Sequence, residues 1–424
     1  MNIVMMTNTY KPILGGLERS IETFTKAYRE KGHRVIIVAP EFENSVPEED
    51  VIRIPAVQNF NGTDFSVQLP IPGILTDALG DLRPDLVHSH HPFLVGDTAL
   101  RLAYKFNVPL VFTHHTLYEQ NTHYVPGDSD ALKRFVIELS TGYANLADQV
   151  FAPSESVMKL IKERGVETSI EVVPTGIDLE RFAAADGNKF RTENKIPKAA
   201  FVVGHLGRLA PEKNLEFLAR AAVLFLKKNE TAHFLVAGKG PLEETLKTLF
   251  EKADLSDRLH LTGPLNGLAL AEAYHAMDVF VFASQSETQG LVLTEAMAAG
   301  VPVVAVDASG VREVVKDETN GRLLLKENEE DLVSALEWVE RLTEEKSKKI
   351  KTECLKTAKD FSVKKCSDRA LKAYFSLVMN KEFTRRPSEN SSWEKTLRLI
   401  QADWELAKNL TKATAEAFLG APAP

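Results

Sequence analysis

Two carboxylates and two cations are spaced so that they could handle a charged leaving group. Glu287 and Glu295 stand eight residues apart in SQSETQGLVLTEAMAAGVPVVA, residues 284–305. Arg208 and Lys213 stand five apart in GRLAPEKN, residues 207–214. The apolar run 278–283 reads as a buried strand and 291–299 as a helix, so 285–290 is the connecting turn. Gly290 permits a sharp approach and leaves the amides of Leu291 and Val292 at a helix start. Backbone N–H groups and the helix dipole attract phosphate there. A carboxylate suits a diol, because each oxygen accepts several hydrogen bonds. The expected ligand is a nucleotide sugar. One glutamate would take the ribose diol and the other the sugar hydroxyls, while Arg208 and Lys213 would face the diphosphate, whose charge grows as it departs. Taken singly, each motif also fits a solvent-exposed Glu287, a helix-capping Glu295 and an ordinary surface loop at 207–214.

Other residues carry weaker signals. Gly15-Gly16, in the first strand-to-helix loop, would let backbone approach a ligand closely, and AGKGP, with Gly238 and Gly240, offers a similar loop. Both also read as plain turns. His88, His90, His91, His114, His115 and His123 crowd a short span, which raises zinc. They sit at strand ends without a paired Cys or a His-Glu helix motif, so a metal-free site with no cofactor is expected. His88 reads as a structural residue and His90 as one that shapes the acceptor side.

The elements that must position these residues alternate along the chain. Strands are expected at 2–7, 35–39, 86–90, 109–115 and 147–154. The first helix follows from Leu17, Ile21, Phe24 and Tyr28, spaced four, three and four apart, and another covers 98–106. A second series has strands at 201–207, 233–238, 258–263, 278–284 and 301–307, with a helix over 215–228. Strand–helix alternation means parallel sheets covered on both faces. The fold class is therefore α/β, with two successive doubly wound halves. Such sheets hold ligands at the carboxyl ends of their strands, and two facing sheets would leave a cleft between them. The domain expectation is 1–170, 171–360, a helix over 361–380 returning to the first domain, and a helical tail over 381–424. In that tail Trp393, Leu397, Ile400 and Trp404 mark one helix face, expected to pack against the body.

The bulk numbers agree with an enzyme of this kind. A chain of 424 residues is long for one core. Its net charge of −8 argues against nucleic acid as a partner. Two cysteines, Cys354 and Cys366, make no disulfide framework. The start, MNIVMMTNTYKP, reads as a strand rather than a signal peptide, and no segment has the ~18 apolar residues of a membrane span. The expected location is the cytoplasm.

The ordered set of motifs resembles the family 4 retaining glycosyltransferases. SETQGLVLTEAMAAGVPVVA is similar to that family's two-glutamate motif, and VPTGID, GRLAPEKN and the early Gly-Gly match further segments in the same order, over about residues 1–380. The resemblance implies the GT-B fold, two facing Rossmann-like domains, with the first on the acceptor side and the second on the donor side. It also implies metal-independent transfer of a hexose with retention. It implies that Arg208 and Lys213 bind the diphosphate, Glu287 the sugar near the reacting carbon, and Glu295 the ribose. Gly290, Leu291 and Val292 would offer amides, Gly16 would face the phosphate from the other domain, and His115 would contact the sugar and help catalysis. A narrower resemblance, carried by THHTLYEQNTHYVP (113–126) and ETQGL, is to the subgroup that glucosylates diacylglycerol. It puts Tyr118, Glu119, His123 and Tyr124 on the acceptor side and implies UDP-glucose as donor, with work at the inner membrane surface. Residues 1–170 hold 15 basic and 21 acidic side chains, so no polybasic patch for anionic lipid stands out; the apolar loop 65–75 fits a lipid contact and a buried loop equally. A GDP-mannose-dependent mannosyltransferase, and an epimerase or phosphorylase on the same scaffold, are the alternative activities. A partner-binding scaffold with a degenerate site is the non-enzymatic one.

Overall fold

The computed structural model describes the chain except residues 14, 43–44, 58–66, 69–78, 125–128, 285–286, 380–391 and 420–424, and gives no side-chain surroundings for 57, 67–68, 121, 123–124, 392–397 and 418–419. Most of the apolar loop 65–75 thus lies outside the described residues. The chain divides into two compact units, Met1–Thr175 with Cys366–Pro424, and Gly176–Lys365.

The first unit is built on strands β1 (Asn2–Met6), β2 (Arg34–Pro40), β3 (Val51–Ile54), β6 (Leu86–Ser89), β7 (Leu110–Thr113), β8 (Gln149–Ala152) and β9 (Ile170–Val172). Between β3 and β6, β4 (Ala56–Val57) and β5 (Val67–Gln68) form a small antiparallel ribbon. The main sheet is parallel, in the order β3-β2-β1-β6-β7-β8-β9. Both faces are covered, so β1 is continuously apolar from Ile3 to Met6 rather than alternating. Ile3 and Met5 point to one face, with Ile21, Phe24 and Tyr28 of α1 (Gly16–Glu30). Val4 and Met6 point to the other, with Ala99, Leu100 and Ala103 of α2 (Val95–Phe106) and with Tyr143 of α3 (Asp130–Leu146). Beyond β8, α4 (Glu155–Glu163) starts at Ser154, whose side chain caps it by accepting from the Val157 amide.

In the second unit, α5 (Leu179–Ala183) and α6 (Gly187–Glu193) precede β10 (Phe201–Leu206). Then come α7 (Leu215–Lys228), β11 (Ala232–Ala237), α8 (Glu243–Glu251), β12 (Leu259–Gly263), α9 (Gly267–His275), β13 (Val279–Phe282), α10 (Leu291–Ala298) and β14 (Val303–Val306). The unit closes with α11 (Val311–Val314), β15 (Gly321–Leu324), α12 (Glu329–Glu340) and α13 (Glu344–Asp360). The sheet is again parallel, in the order β12-β11-β10-β13-β14-β15. Val202 and Phe280 face one apolar layer, and Val203 and Val281 the other.

Both sheets turn back on themselves at one strand. β1 is flanked by β2 and β6, and β10 by β11 and β13. The crossovers leaving a flanked strand therefore go to opposite sides, and a crevice opens outside the carboxyl ends of the two central strands. Those ends carry Asn8 and His90 in the first unit, and Gly207 and Ser284 in the second.

Two helices complete the first unit. In α14 (Val363–Val378), Cys366, Ala370, Leu371 and Tyr374 are buried with Phe24 and Tyr28 of α1. The tail helix α15 (Ser392–Leu419) runs along α3 and α2, but not through the expected face. Ile400 is 57% exposed and Trp404 64% exposed. The packed side is small: Ala402, Ala413 and Ala417 are buried, and Asn409 Nδ2 donates to Leu139 O at 3.1 Å. The reason is close approach. A Cβ on Gly142 of α3 would lie 1.7 Å from Asn409 Oδ1, so no room exists for tryptophan between these helices. The side chains of Trp393 and Leu397 lie outside the described residues. Among the described residues, no helix is long and apolar enough to cross a membrane.

Candidate active site

The second unit brings Lys213 and Glu287 together at its crevice. The Lys213 ammonium lies 3.4 Å from Glu287 Oε2 and 3.5 Å from Ser284 Oγ. Ser284 in turn donates to the Glu212 carbonyl at 3.2 Å, tying the β13 end to the short 3-10 turn Pro211–Lys213. Glu287 also accepts from the Gly290 amide at 3.1 Å through Oε1. It is thus a partly buried residue that closes the turn ahead of α10, rather than an exposed one. Gly290 adopts φ +76°, a conformation with little penalty only for glycine. The first-turn amides of Leu291 and Val292 have no acceptor within the helix, by helix geometry.

Arg208 and Glu295 are placed differently. The Arg208 guanidinium pairs with Glu212 on the exposed side of the loop. Glu295 lies one turn into α10, 3% exposed, and accepts from the Tyr274 hydroxyl at 3.0 Å. Gly238 shapes the loop that carries Arg208. A Cβ there would stand 1.8 Å from the Gly207 carbonyl oxygen, and its φ is +149°. Gly238→Ala must move the Gly207–Arg208 turn, at an expected cost of roughly 2–4 kcal/mol. A urea midpoint within experimental error of wild type would refute this. Gly310 plays a similar part behind Glu287, since its Cβ would lie 2.7 Å from the Gln289 amide.

Ser284, Glu212, Tyr274 and Gly310 were not singled out in the sequence. Ser284 lies within the motif stretch, three residues before Glu287. Tyr274 has no local signal, because its partner is 21 residues away on another helix. His205 is a further residue of this kind: it is buried beneath the Gly207 turn, Val281 O lies 3.1 Å from its Nδ1, and burial lowers its pKa to about 4.

In the first unit, Gly15 and Gly16 start α1. A Cβ on Gly15 would meet the Glu18 carboxylate at 2.6 Å, and one on Gly16 would meet nothing within 4 Å. The histidines collect at the carboxyl ends of β6 and β7. His91 Nδ1 lies 3.2 Å from the Asn8 amide, and Asn8 Oδ1 accepts from the Val95 amide at 3.2 Å, closing the β1 end over the start of α2. His90 Nδ1 is 2.8 Å from His115 Nε2. Burial lowers the pKa of His88 and His91 to about 3 and of His114 to about 4, and pushes His90 and His115 well below the usual range. These imidazoles are neutral at physiological pH. Among the described residues, no three His, Cys, Asp or Glu side chains converge as a metal-ligand set.

Tyr118 and Glu119 open the 3-10 segment Tyr118–Tyr124. Glu119 pairs with Arg164 at 2.8 Å in a partly buried bridge. Tyr118 packs edge-on against Phe93, with ring centroids 4.9 Å apart. Its hydroxyl, His114 Nδ1 and His90 Nε2 are buried without a hydrogen-bond partner. A buried donor left in this state costs about 1–3 kcal/mol, and a bare lone pair costs less. The side chains of His123 and Tyr124 lie outside the described residues.

Two parallel-sheet Rossmann-like units, each with a crevice at its switch point, define a class, and comparison with known proteins agrees. The Glycosyltransferase Family 4 profile matches residues 14–181, and the Glycosyl transferases group 1 profile matches residues 186–356. The chain belongs to the glycosyltransferases of GT-B fold and is related to the diacylglycerol glucosyltransferases. It is 29% identical to the alpha-monoglucosyldiacylglycerol synthase of Streptococcus pneumoniae, over 79% of this chain and 77% of that one. It is 28% identical to a GDP-mannose-dependent alpha-mannosyltransferase of Mycobacterium tuberculosis, over 76% and 83%. Among solved structures, Anabaena HepE in complex with UDP-glucose superposes with a TM-score of 0.69 at 21% identity, over 89% of this chain and all of that one.

Proposed function

We propose that this glycosyltransferase moves a hexose from a nucleotide sugar, UDP-glucose, to a hydroxyl acceptor such as diacylglycerol, with retention and without a metal ion. The observation that carries the reading is the Lys213–Glu287 pair beside the amides that open α10, at the switch point of the second sheet. A departing nucleoside diphosphate gains charge as the glycosidic bond breaks. Lys213, Arg208 and the amides of Leu291 and Val292 supply fixed positive potential for it, the part a metal ion plays elsewhere. The acceptor oxygen bonds to the anomeric carbon on the face the diphosphate leaves, and its proton passes to the departing phosphate oxygen. Glu287 accepts from sugar hydroxyls, and Glu295 accepts from the ribose. His115 contributes as a neutral imidazole, a hydrogen-bond partner for the sugar rather than a cation.

The S. pneumoniae relative, named for monoglucosyldiacylglycerol, favours the glucosyl and lipid assignment. It also favours action at the inner membrane surface, with the enzyme bound peripherally. The mannosyltransferase relative, at nearly the same identity, supports GDP-mannose as the second reading. The test is a thermal-shift screen with both donors, followed by transfer of labelled hexose to diacylglycerol vesicles and analysis of the product anomer. A bound donor at 100 times its Kd stabilises by about 2.7 kcal/mol. A shift with GDP-mannose alone would overturn the glucosyl assignment, and a β-anomeric product would overturn retention.

A further inference from the structure

Three imidazoles in the first unit form a ladder. The His88 and His90 ring centroids are 4.1 Å apart at 33°, and those of His90 and His115 are 5.1 Å apart at 24°. His88 is held at both nitrogens, with the Tyr374 hydroxyl 2.6 Å from Nδ1 and Thr113 Oγ1 2.7 Å from Nε2. Tyr374 belongs to α14, and its ring packs edge-on against that of Tyr28 on α1, with centroids 5.6 Å apart. His88 is therefore a fixed platform on which the His90 ring lies.

The contact between His90 Nδ1 and His115 Nε2, at 2.8 Å, is the informative one. Both rings are neutral, because burial disfavours their charged forms. A hydrogen bond between two neutral imidazoles needs one N–H and one lone pair, so only two arrangements exist. If His115 donated, His90 would hold its proton on Nε2, a buried atom with no partner. That leaves a stranded N–H, the rarer and more costly kind of orphan. If His90 donates from Nδ1, the atom left unpaired is only a lone pair.

We infer that His90 is a positioning residue whose Nδ1–H donates to His115 Nε2 and so holds His115 as the Nδ1–H tautomer. His115 Nδ1 then carries the proton and can act toward a sugar only as a donor. α14 reaches this device through the Tyr374–His88 contact. The effect on turnover rests on the proposed role of His115, but the tautomer itself does not.

The test reads the two separately. Long-range proton–nitrogen correlation spectra of protein labelled in its histidine rings report which nitrogen of each ring is protonated, with no substrate present. The His115 signals are assigned by their loss in His115→Gln. Wild type should show a protonated Nδ1 and a bare Nε2 on His115. His90→Asn keeps an N–H at the Nδ1 position and should keep that pattern, recovering most of the kcat that His90→Leu loses. His90→Leu removes the donor; it should shift His115 toward the other tautomer and lower kcat roughly 10²-fold with little change in donor KM. A protonated Nε2 on wild-type His115 overturns the inference, whether or not His90→Leu folds. So does an unchanged His115 tautomer in a folded His90→Leu. If the spectra behave as stated but no nucleotide sugar is turned over by wild type, the transferase reading fails and the tautomer assignment stands.

Discussion

Lys213→Ala lowers transfer by about 10³-fold in kcat/KM while the protein stays folded. A single fixed donor to a developing anion is worth roughly 10²–10³ in rate, and a full cation at a transferring phosphate more. Arg208, the other cation of the motif, does not make up the loss, because Glu212 beside it offsets part of its charge. Glu287→Ala has a comparable effect on transfer for a different reason. It removes the acceptor for sugar hydroxyls and also releases the Gly290 amide that its Oε1 holds at 3.1 Å. Glu287→Gln separates these. It retains an oxygen for Gly290 but loses the charge facing Lys213, so it should fall between Glu287→Ala and wild type. Neither alanine variant should lose more than about 1 kcal/mol of stability, since the pair is partly solvated and its oxygen–nitrogen distance is long, at 3.4 Å. Steady-state rates with circular dichroism as the folding control decide the matter. Either alanine variant turning over at the wild-type rate removes that residue from the chemistry.

Mild acid unfolds the first unit before the second. His88 and His91, with pKa values of about 3, and His114, at about 4, stay neutral in the folded state. In the unfolded chain each takes up a proton as pH falls through about 6.5. The unfolded state therefore binds more protons, and stability is lost as pH drops from about 6.5 toward 4. At pH 5 each of these histidines lowers stability by about 2 kcal/mol, and the three together by at most about 6, comparable to the whole stability of a domain. His90 and His115 act in the same direction. Asp97, whose pKa is raised by burial, works the other way as a single group. The second unit has one fully buried counterpart, His205, at about 4, with His233, His260 and His275 only partly buried. Hydrogen exchange resolved by peptide at pH 7, 6 and 5 should show peptides of the first unit losing protection first. Equal protection in both units across that range would contradict the account.

Much of the architecture was legible because local rules and global fold agree. The helix read over 215–228 has the same bounds in the structure, since its apolar face repeats at helical spacing and its flanks are polar. Strands were read too long at their carboxyl ends. The expected 109–115 is Leu110–Thr113, and 86–90 is Leu86–Ser89. The surplus residues, His114, His115 and His90, are where the chain leaves the ladder to build a site, and hydropathy cannot mark that departure. The helix expected over 98–106 starts earlier, at Val95, because Asn8 supplies the Val95 amide with an acceptor from 87 residues away. The tail helix was placed on the wrong face, because two tryptophans outweigh three alanines in any hydrophobicity count. Packing against Gly142 instead selects for small size.

By itself the sequence determined the class: alternating strands and helices that require parallel sheets, and charged residue types whose order names a glycosyltransferase. It could not decide which of those charges meet. Lys213 reaches Glu287 across 74 residues, and Tyr374 reaches His88 across 286. Contacts of that kind exist only once strands have paired side by side. A residue's type limits what it can bond, and the topology of the sheet decides which partner stands within its reach.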